Sequence, residues 1–478
     1  MRDAESINRR DLLKRGFKNA CLLGGLSAIS SGLSCQKEDS SRLDSGVSPK
    51  EPPIKTIVLI TLDTTRADHL GCYGYNLPTS PNLDRIAEES LVYEQMLAPG
   101  TWTLPSHASL FTGKFPSSHG ARLDPNGALR LSSAISAPEA FENYRVRSIG
   151  KDEQTLAALL KQAGYHTGAV VAGPWMKKTF GLSNGFDFYD DSKITELNGC
   201  VAEDVTNQAL KWLNRPTDKP RFLFLNYFDP HIPLLPPEEY AQKFVPSGAR
   251  YRTETDDKPI DLETYIGLYD AEILYMDYHL GRLFDGLKEL GLYDGAWIIL
   301  TADHGHLLGE HGELGHGEVP YQPVLQIPLI VKNPGTQDKE SRVSSPVQLT
   351  DLLPMILDRL GQQPPSGIQG NVPPGIDHPL LSESRTLPPF YAKGSWLAII
   401  NQGKKLIWNS LGNHLLFDLA EDPEEEHNLF ARYPADARAL GDAMHDYIAG
   451  LPEPGQQAPA GPVDDETLKA LKSVGYLN

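Results

Sequence analysis

Side chains able to act together chemically sit in four separate stretches of this chain. In Thr101-Trp102-Thr103-Leu104-Pro105-Ser106-His107 through Gly113, Thr103 is a good N-cap, Pro105 suits a first helical turn and Gly113 suits a C-terminal stop. The spacing therefore predicts a short helix with a hydroxyl at its mouth. Unpaired N–H groups and the positive end of the dipole favour an anion there and ease the ionisation of a hydroxyl, which makes it a place for a nucleophile. Asp63, Asp229 with His231, and Asp303 with His304 each follow an apolar, β-branched or aromatic run. Alone, Thr103 reads as a cap and each Asp as a cap or turn. Together, carboxylates and an imidazole opposite a helix that begins with a hydroxyl are the parts that hold a hard or borderline divalent cation. Such a cation would stabilise a Thr103 alkoxide and polarise an incoming ester oxygen.

The elements that must position these groups are legible as alternating strands and helices. Thr56–Leu62 is a continuous β-branched run that ends on Asp63; Thr167–Val171, Phe222–Tyr227 and Trp297–Thr301 read as further strands, the last two running into Asp229-Pro230-His231 and Asp303-His304-Gly305-His306. A helix is expected from about Glu153 to Ala163, stopped by Gly164, and another from about Tyr265 to Leu290, with apolar residues three or four apart. The alternation predicts an α/β fold: a large, mostly parallel sheet flanked by helices, with ligands beyond the carboxyl ends of its strands. Pro328–Val331 reads as one more buried strand and Thr350–Leu360 as a helix capped by Thr350. After a Pro- and Gly-rich surface excursion at 362–379, Trp396–Ile400, Lys405–Asn409 and His414–Asp418 suggest a small antiparallel sheet followed by a helix near Ala435–Ile448. The expected organisation is a signal at 1–35, a linker at 36–54, a catalytic domain at 55–385, and a smaller α+β subdomain and tail at 386–478, with a last short helix near Glu466–Ser473.

The 478 residues carry a net charge of −18, which argues against a nucleic-acid partner, since phosphate backbones are held by dense Lys/Arg patches. Arg9-Arg10 precedes an apolar stretch from Ala20 to Leu33 that is short and rich in Gly and Ser for a membrane span. It resembles a twin-arginine export signal, which places the protein in the periplasm or on the outer surface of the cell envelope. Ser31-Gly32-Leu33-Ser34-Cys35 resembles a lipobox with Gly32 where an aliphatic residue is usual. A membrane anchor on Cys35, plain cleavage and an uncleaved anchor all stay open. Cys72 and Cys200 offer one disulfide at most, with no positive evidence for it.

Further motifs fall in one order along the chain: Leu62-Asp63-Thr64-Thr65-Arg66-Ala67-Asp68-His69, Cys72-Tyr73-Gly74, Thr79-Ser80-Pro81-Asn82-Leu83-Asp84, then Thr103–Gly113, Asp229-Pro230-His231, Tyr269-Asp270 through Asp277 and Gly281, and Thr301–Gly305. With Phe417-Asp418-Leu419, Asp422-Pro423 and Asn428-Leu429 near the end, they resemble the sulfatase family of the alkaline phosphatase superfamily over about Lys55 to Asn478. The resemblance implies a metal site of Asp63, Thr103, Asp303 and His304, with Thr103 as nucleophile and His231 contacting the ester and protonating the leaving oxygen. It leaves His107, His311 and His316 as candidates for anion contact or a second metal, for which Asp229 is a further spare ligand. The cation would be Ca, Zn or Mn, one per chain with two left open.

The departures from the family pattern are informative. Sulfatases that use formylglycine have Cys or Ser in a C-x-P-x-R pattern, where this chain has Thr103, Pro105 and His107. Threonine is not a source of formylglycine, so none is expected. T-x-P-x-H is similar to the nucleophile motif of nucleotide pyrophosphatases and phosphodiesterases in the same superfamily. His304 in place of the Asn of many sulfatases resembles phosphonate monoester hydrolases. Thr64 replaces the second Asp of a common pair. A family lysine near Ala172 is absent, with Lys177 or Lys178 able to reach in, and another near His316 is replaced. The expectation is an exported, metal-dependent hydrolase cleaving small-molecule or glycan sulfate or phosphate esters, and turning over phosphorus esters at least as well as sulfate. The alternatives are a phosphodiesterase or phosphonate monoester hydrolase, a cell-envelope phosphotransferase and a non-catalytic binding lipoprotein.

Overall fold

The computed structural model describes residues 54–455 except 125–126, 131–144, 195–198, 250–260, 336–340, 374–377 and 385–392. The twin-arginine stretch, Cys35, almost all of the linker and the last expected helix lie outside the described residues. From Ile54 on, the described residues form one compact unit, and no helix among them is long and apolar enough to cross a membrane.

The central sheet has nine strands: β1 (Thr56–Leu62), β2 (Leu91–Leu97), β3 (His166–Val171), β4 (Phe188–Asp190), β5 (Arg221–Tyr227), β6 (Ala296–Thr301), β7 (Gln326–Lys332), β8 (Ser341–Val343) and β9 (Val347–Gln348). Eight of them follow the order β8-β2-β7-β6-β1-β5-β3-β4, with β9 also pairing β2. All seven residues of β1 are buried, as a strand flanked on both sides and covered on both faces requires. It runs parallel to β5 and β6, with Thr61 level with both Asn226 and Thr301. Two residues further along, that register puts Asp63, Phe228 and Asp303 side by side, so the strands that the sequence showed ending in Asp deliver those residues to one edge. The sheet is mixed, because β7 is antiparallel to both β6 and β2.

The helix α3 (Leu262–Glu289), capped by the Asp261 side chain accepting from Thr264 N, packs on α2 (Ala202–Leu213). The motifs between β1 and β2 lock onto α3. Asp277 accepts from the amides of Asn82 and Leu83, and a side chain at Gly281 would strike Asn82 at 2.6 Å. His69 Nδ1 and Tyr75 Oη both reach Asp270. Two expected caps are corrected. The helix α1 (Thr103–Thr112) has Trp102 at its N-cap, and α4 (Leu349–Arg359) is capped by Gln348 in a reciprocal box with Asp351, not by Thr350. Gly113 and Gly361 do stop these helices, at φ of 64° and 69°.

The smaller sheet is antiparallel, ordered β10 (Leu380–Ser384), β11 (Trp396–Asn401), β12 (Lys404–Asn409) and β13 (Leu415–Asp418). The helix α5 (Pro434–Gly450) packs on β11 and β12, and its Leu440 and Met444 share a second apolar core with Phe115, Leu381, Ile399, Leu406 and Leu416. β10 lies before residue 386, where the subdomain was expected to begin, and Glu383 within it accepts from Ser117 N at 3.0 Å. Fully buried Lys405 and Glu425 form an ion pair of 2.6 Å; Lys405 Nζ also reaches Gln322 Oε1 at 3.0 Å, and Gln322 N donates to Glu425 at 2.6 Å.

Candidate active site and metal centre

Trp102 precedes α1 in an extended conformation and its ring meets Trp175 edge-on at 5.0 Å. Trp102 occupies the N-cap, so Thr103 is the first helical residue and its hydroxyl does no capping. Thr103 Oγ1 is buried without a hydrogen-bond partner. All ten residues of α1 are buried. His107, one turn on, holds the helix start: its Nδ1 donates to Thr103 O at 2.9 Å, its Nε2 meets Thr61 Oγ1 at 2.9 Å, and Nδ1 lies 3.5 Å from Asp303 Oδ2. Both ring nitrogens are thus committed, and burial lowers the His107 pKa. It braces Thr103 and Asp303 rather than contacting an anion.

Asp63, Asp303 and His304 each offer a ligand atom, all within 4.8 Å of one another and all buried. Both oxygens of Asp63, Oδ2 of Asp303, Nε2 of His304 and Oγ1 of Thr64 lack hydrogen-bond partners, like Thr103 Oγ1. The remaining atoms are spoken for. Asp303 Oδ1 accepts from His304 N at 2.9 Å and Thr64 N at 3.3 Å. His304 Nδ1 lies 2.9 Å from Gly305 O; a carbonyl only accepts, so Nδ1 carries the proton and Nε2 presents a lone pair, 3.3 Å from Asp303 Oδ2. Burial, then the Asp303 charge, pushes the Asp63 pKa well up. Asn226 and Thr103 face Asp63 closely enough to offset part of this, though neither completes a hydrogen bond with it. Buried carboxylates left unpaired cost several kcal/mol each, and a divalent cation removes that cost. The orphaned oxygens and the lone pair on Nε2 fit such a cation.

Thr64 has φ of 55°, a left-handed conformation that is costly for a β-branched residue. Tyr269 holds it there, donating to Thr64 O at 2.8 Å and accepting from Arg66 N at 2.9 Å. The amide of Thr64 is thereby aimed at Asp303.

Imidazoles line the other side. The His316 ring lies 4.5 Å from that of His304, 4.9 Å from His231 and 5.3 Å from His306. His306 Nδ1 meets His316 Nδ1 at 3.1 Å, and its Nε2 meets Tyr265 Oη at 2.8 Å. His231 stacks on Phe228 at 4.3 Å, its Nδ1 donating to Ile232 O, and burial pushes its pKa down to about 3. The free protein therefore holds His231 neutral. Asp229 Oδ1 accepts from Ala202 N at 2.9 Å, leaving Oδ2 buried and unpartnered.

Some expected contributors stand elsewhere. His311 is exposed and stacked on Tyr321 at 3.7 Å. Lys178 pairs with Asp191 at 3.1 Å on the surface, and Lys177 Nζ donates to Ile194 O at 3.3 Å. Among the described residues, Asp63, Asp303 and His304 form the one group of three such ligands; His231, His311 and Asp229 do not assemble a second. Cys72 and Cys200 are both free. His306, Tyr265 and Glu272 were not singled out as site residues from the sequence, and Tyr269 entered only as the first residue of a family motif. For His306 a signal existed, two residues beyond His304 in the same run; the tyrosines and Glu272 read simply as part of a helical face.

Comparison with known proteins bears on this arrangement. A family model described as Sulfatase matches residues 55–362. The N-acetylglucosamine-6-O-sulfatase of Bacteroides thetaiotaomicron is 24% identical over 490 residues, covering 79% of this chain and 82% of that protein. A solved structure of a protein in complex with its substrate D-glucosamine-2-N,6-O-disulfate superposes with a TM-score of 0.67 at 22% identity, covering 83% of this chain and 99% of the other. The phosphonate monoester hydrolase of Agrobacterium radiobacter does so with a TM-score of 0.65 at 19% identity, covering 83% and 96%. At these identities the two structures speak for the fold.

Proposed function

The chain belongs to the sulfatase family, ester hydrolases of the alkaline phosphatase superfamily, and on that premise we propose that it cleaves sulfate esters of sugar hydroxyls with unmodified Thr103 as nucleophile. The observation that carries the reading is the unpartnered, buried Thr103 hydroxyl at the start of α1, beside an equally unpartnered Asp63. Asp63, Asp303, His304 and Thr103 are the residues that would hold a divalent cation. Two carboxylates with an imidazole nitrogen suit Zn or Mn better than Ca. When bound, the cation supplies Lewis acidity that lowers the pKa of the threonine hydroxyl and neutralises charge on the ester oxygens.

Thr103 Oγ releases its proton to solvent and forms a bond to sulfur as the bond from sulfur to the sugar oxygen breaks, and the leaving oxygen takes a proton. His231 delivers it once the bound anion has raised its pKa. Water then attacks sulfur, the Thr103 Oγ–S bond breaks, sulfate leaves and the hydroxyl is restored. His107 keeps α1 and Asp303 in register throughout. A formylglycine hydrate could expel sulfate by elimination; a threonyl ester has no such exit and depends on that water.

Thr103 in a T-x-P-x-H motif and His304 beside Asp303 favour one further reading, hydrolysis of phosphodiesters or phosphonate monoesters. Side-by-side kinetics on an aryl sulfate, an aryl phosphate monoester and an aryl phosphodiester rank the two readings. Strong turnover of sulfate by Thr103→Ala would overturn the nucleophile in both. We also propose export through the twin-arginine route, supported by Arg9-Arg10 ahead of Ala20–Leu33. Replacing both arginines with Lys should strand the precursor in the cytoplasm, and unchanged export of that variant removes the idea.

A further inference from the structure

Beside the ester site, on the far side of His231, lies a cavity of about 80 Å³ lined by Phe228, Asp229, His231, Glu272, Tyr275 and the prolines of the loop after His231. Two carboxyl groups share its wall, both buried. Asp229 spends Oδ1 on the amide of Ala202 at the start of α2 and leaves Oδ2 with no partner. Glu272, on α3, spends Oε1 on Leu235 N at 2.7 Å, which ties down the loop that closes the cavity. Burial first, and then the charge of Asp229, raises the Glu272 pKa, so two ionised carboxylates are not held side by side here without a positive charge between them. A helix cap alone would not explain this arrangement, because capping uses one oxygen and does not require a second buried acid opposite. A metal ion is a poor fit, since three ligand atoms do not converge here and His231 Nδ1 is already bonded to Ile232 O. A donor with positive charge satisfies Asp229 Oδ2, favours the ionised form of both acids, and meets the rings of Phe228 and Tyr275 that line the cavity.

We propose that this cavity is a leaving-group subsite for a protonated primary amine, so that the preferred substrates are sulfate esters whose alcohol carries a free ammonium group, as an unacetylated amino sugar does. His231 lines both the cavity and the ester site, which places the amine on the departing alcohol. The proposal rests on the ester-hydrolase reading of the adjoining site.

The test compares glucosamine 6-sulfate, N-acetylglucosamine 6-sulfate and glucose 6-sulfate on the full-length, metal-loaded enzyme. The free amine should raise kcat/KM by about tenfold or more over both others, the scale of one desolvated charge-assisted contact. Glu272→Gln retains an acceptor for Leu235 N, and in it the ratio between amine and N-acetyl substrates should fall towards one, whatever the absolute rate. A wild-type ratio at or below one, or an unchanged ratio in Glu272→Gln, overturns the subsite. Calorimetry with glucosamine and N-acetylglucosamine, which carry no ester, reads the subsite without chemistry. Tighter binding of the amine, weakened by Glu272→Gln, supports it even if every sulfate ester is inert and the ester-hydrolase reading fails; equal binding of the two sugars overturns it.

Discussion

On one side of the site, Asp63, Thr103, Asp303 and His304 hold buried polar atoms with no partner. On the other, with ring centres only 4.5 Å from His304, His316 shares a hydrogen bond with His306, and Tyr265 closes the chain behind them. The first half is costly as it stands and is complete only with a cation and an ester in place. The second is already satisfied and needs no ligand to hold its shape. A buried polar group left unpaired marks where something must bind; one sealed into a network marks what does the holding.

The largest effect that tests this contrast is on Thr103. Thr103→Ala should lower kcat by about a thousandfold or more for every ester, with metal content close to wild type because Asp63, Asp303 and His304 remain. Peptide mass analysis of the wild type should find residue 103 as plain threonine. Next is Asp303→Asn, which should lose about a hundredfold in metal affinity, the scale of losing one charged ligand, read by elemental analysis after dialysis; full occupancy would remove Asp303 from the ligand set. His306→Phe keeps the ring between Tyr265 and Tyr269 but removes the hydrogen bond to His316. It should cost about tenfold in kcat with metal content unchanged, on the scale of an outer-shell contact. If metal is lost as well, the two halves are one unit and the contrast fails.

The smallest effect is on stability against pH in the metal-free protein, where imidazoles and carboxyls act with opposite sign. Burial lowers His231 from 6.5 to about 3. The folded state then binds fewer protons than the unfolded chain in that window, and stability is lost as pH falls from 6.5 towards 3. Burial raises Asp229 from 3.8 to about 7, so here the folded state binds more protons and stability is lost as pH rises from 3.8 towards 7. Thermal melts from pH 4 to 8 should show Asp229→Asn flattening the loss at higher pH and His231→Gln the loss at lower pH. A slope unchanged in both variants would show that neither group is perturbed as its burial implies.

Much of this site was legible because parallel strands deliver whatever follows them to one edge, so apolar runs ending in Asp63, Asp229 and Asp303 disclosed both sheet and chemistry. β2 escaped because Glu94 and Gln95 interrupt its apolar run, and β10 because a short LLSES segment after a Pro- and Gly-rich stretch carries little period of its own. Thr103 was placed one residue too early, at the cap, since sequence cannot show that Trp102 is held in place by Trp175. The surroundings of His107 were hidden for a similar reason. Helical spacing puts it one turn from Thr103, but only packing reveals that both its nitrogens face inward. His311 and His316 look alike in a loop rich in His and Gly, and tertiary contacts alone separate the one on the surface from the one in the site.

The buried pair of Lys405 and Glu425 bears on how this enzyme can be recombined. Gln322, gripped by both, opens the short helix whose Pro323 and Val324 carbonyls receive the amides of His306 and Gly305. The C-terminal sheet thus sets the height of the loop beside Asp303 and His304. Exchanging that sheet with a relative's would strand a charge in the interior unless Lys405, Glu425 and Gln322 travelled together, and a lone buried charge destabilises by about 3–5 kcal/mol. The natural unit of exchange is accordingly the stretch from Gly305 to Glu425, and a seam inside it should yield chimeras that bind metal poorly even with every ligand present.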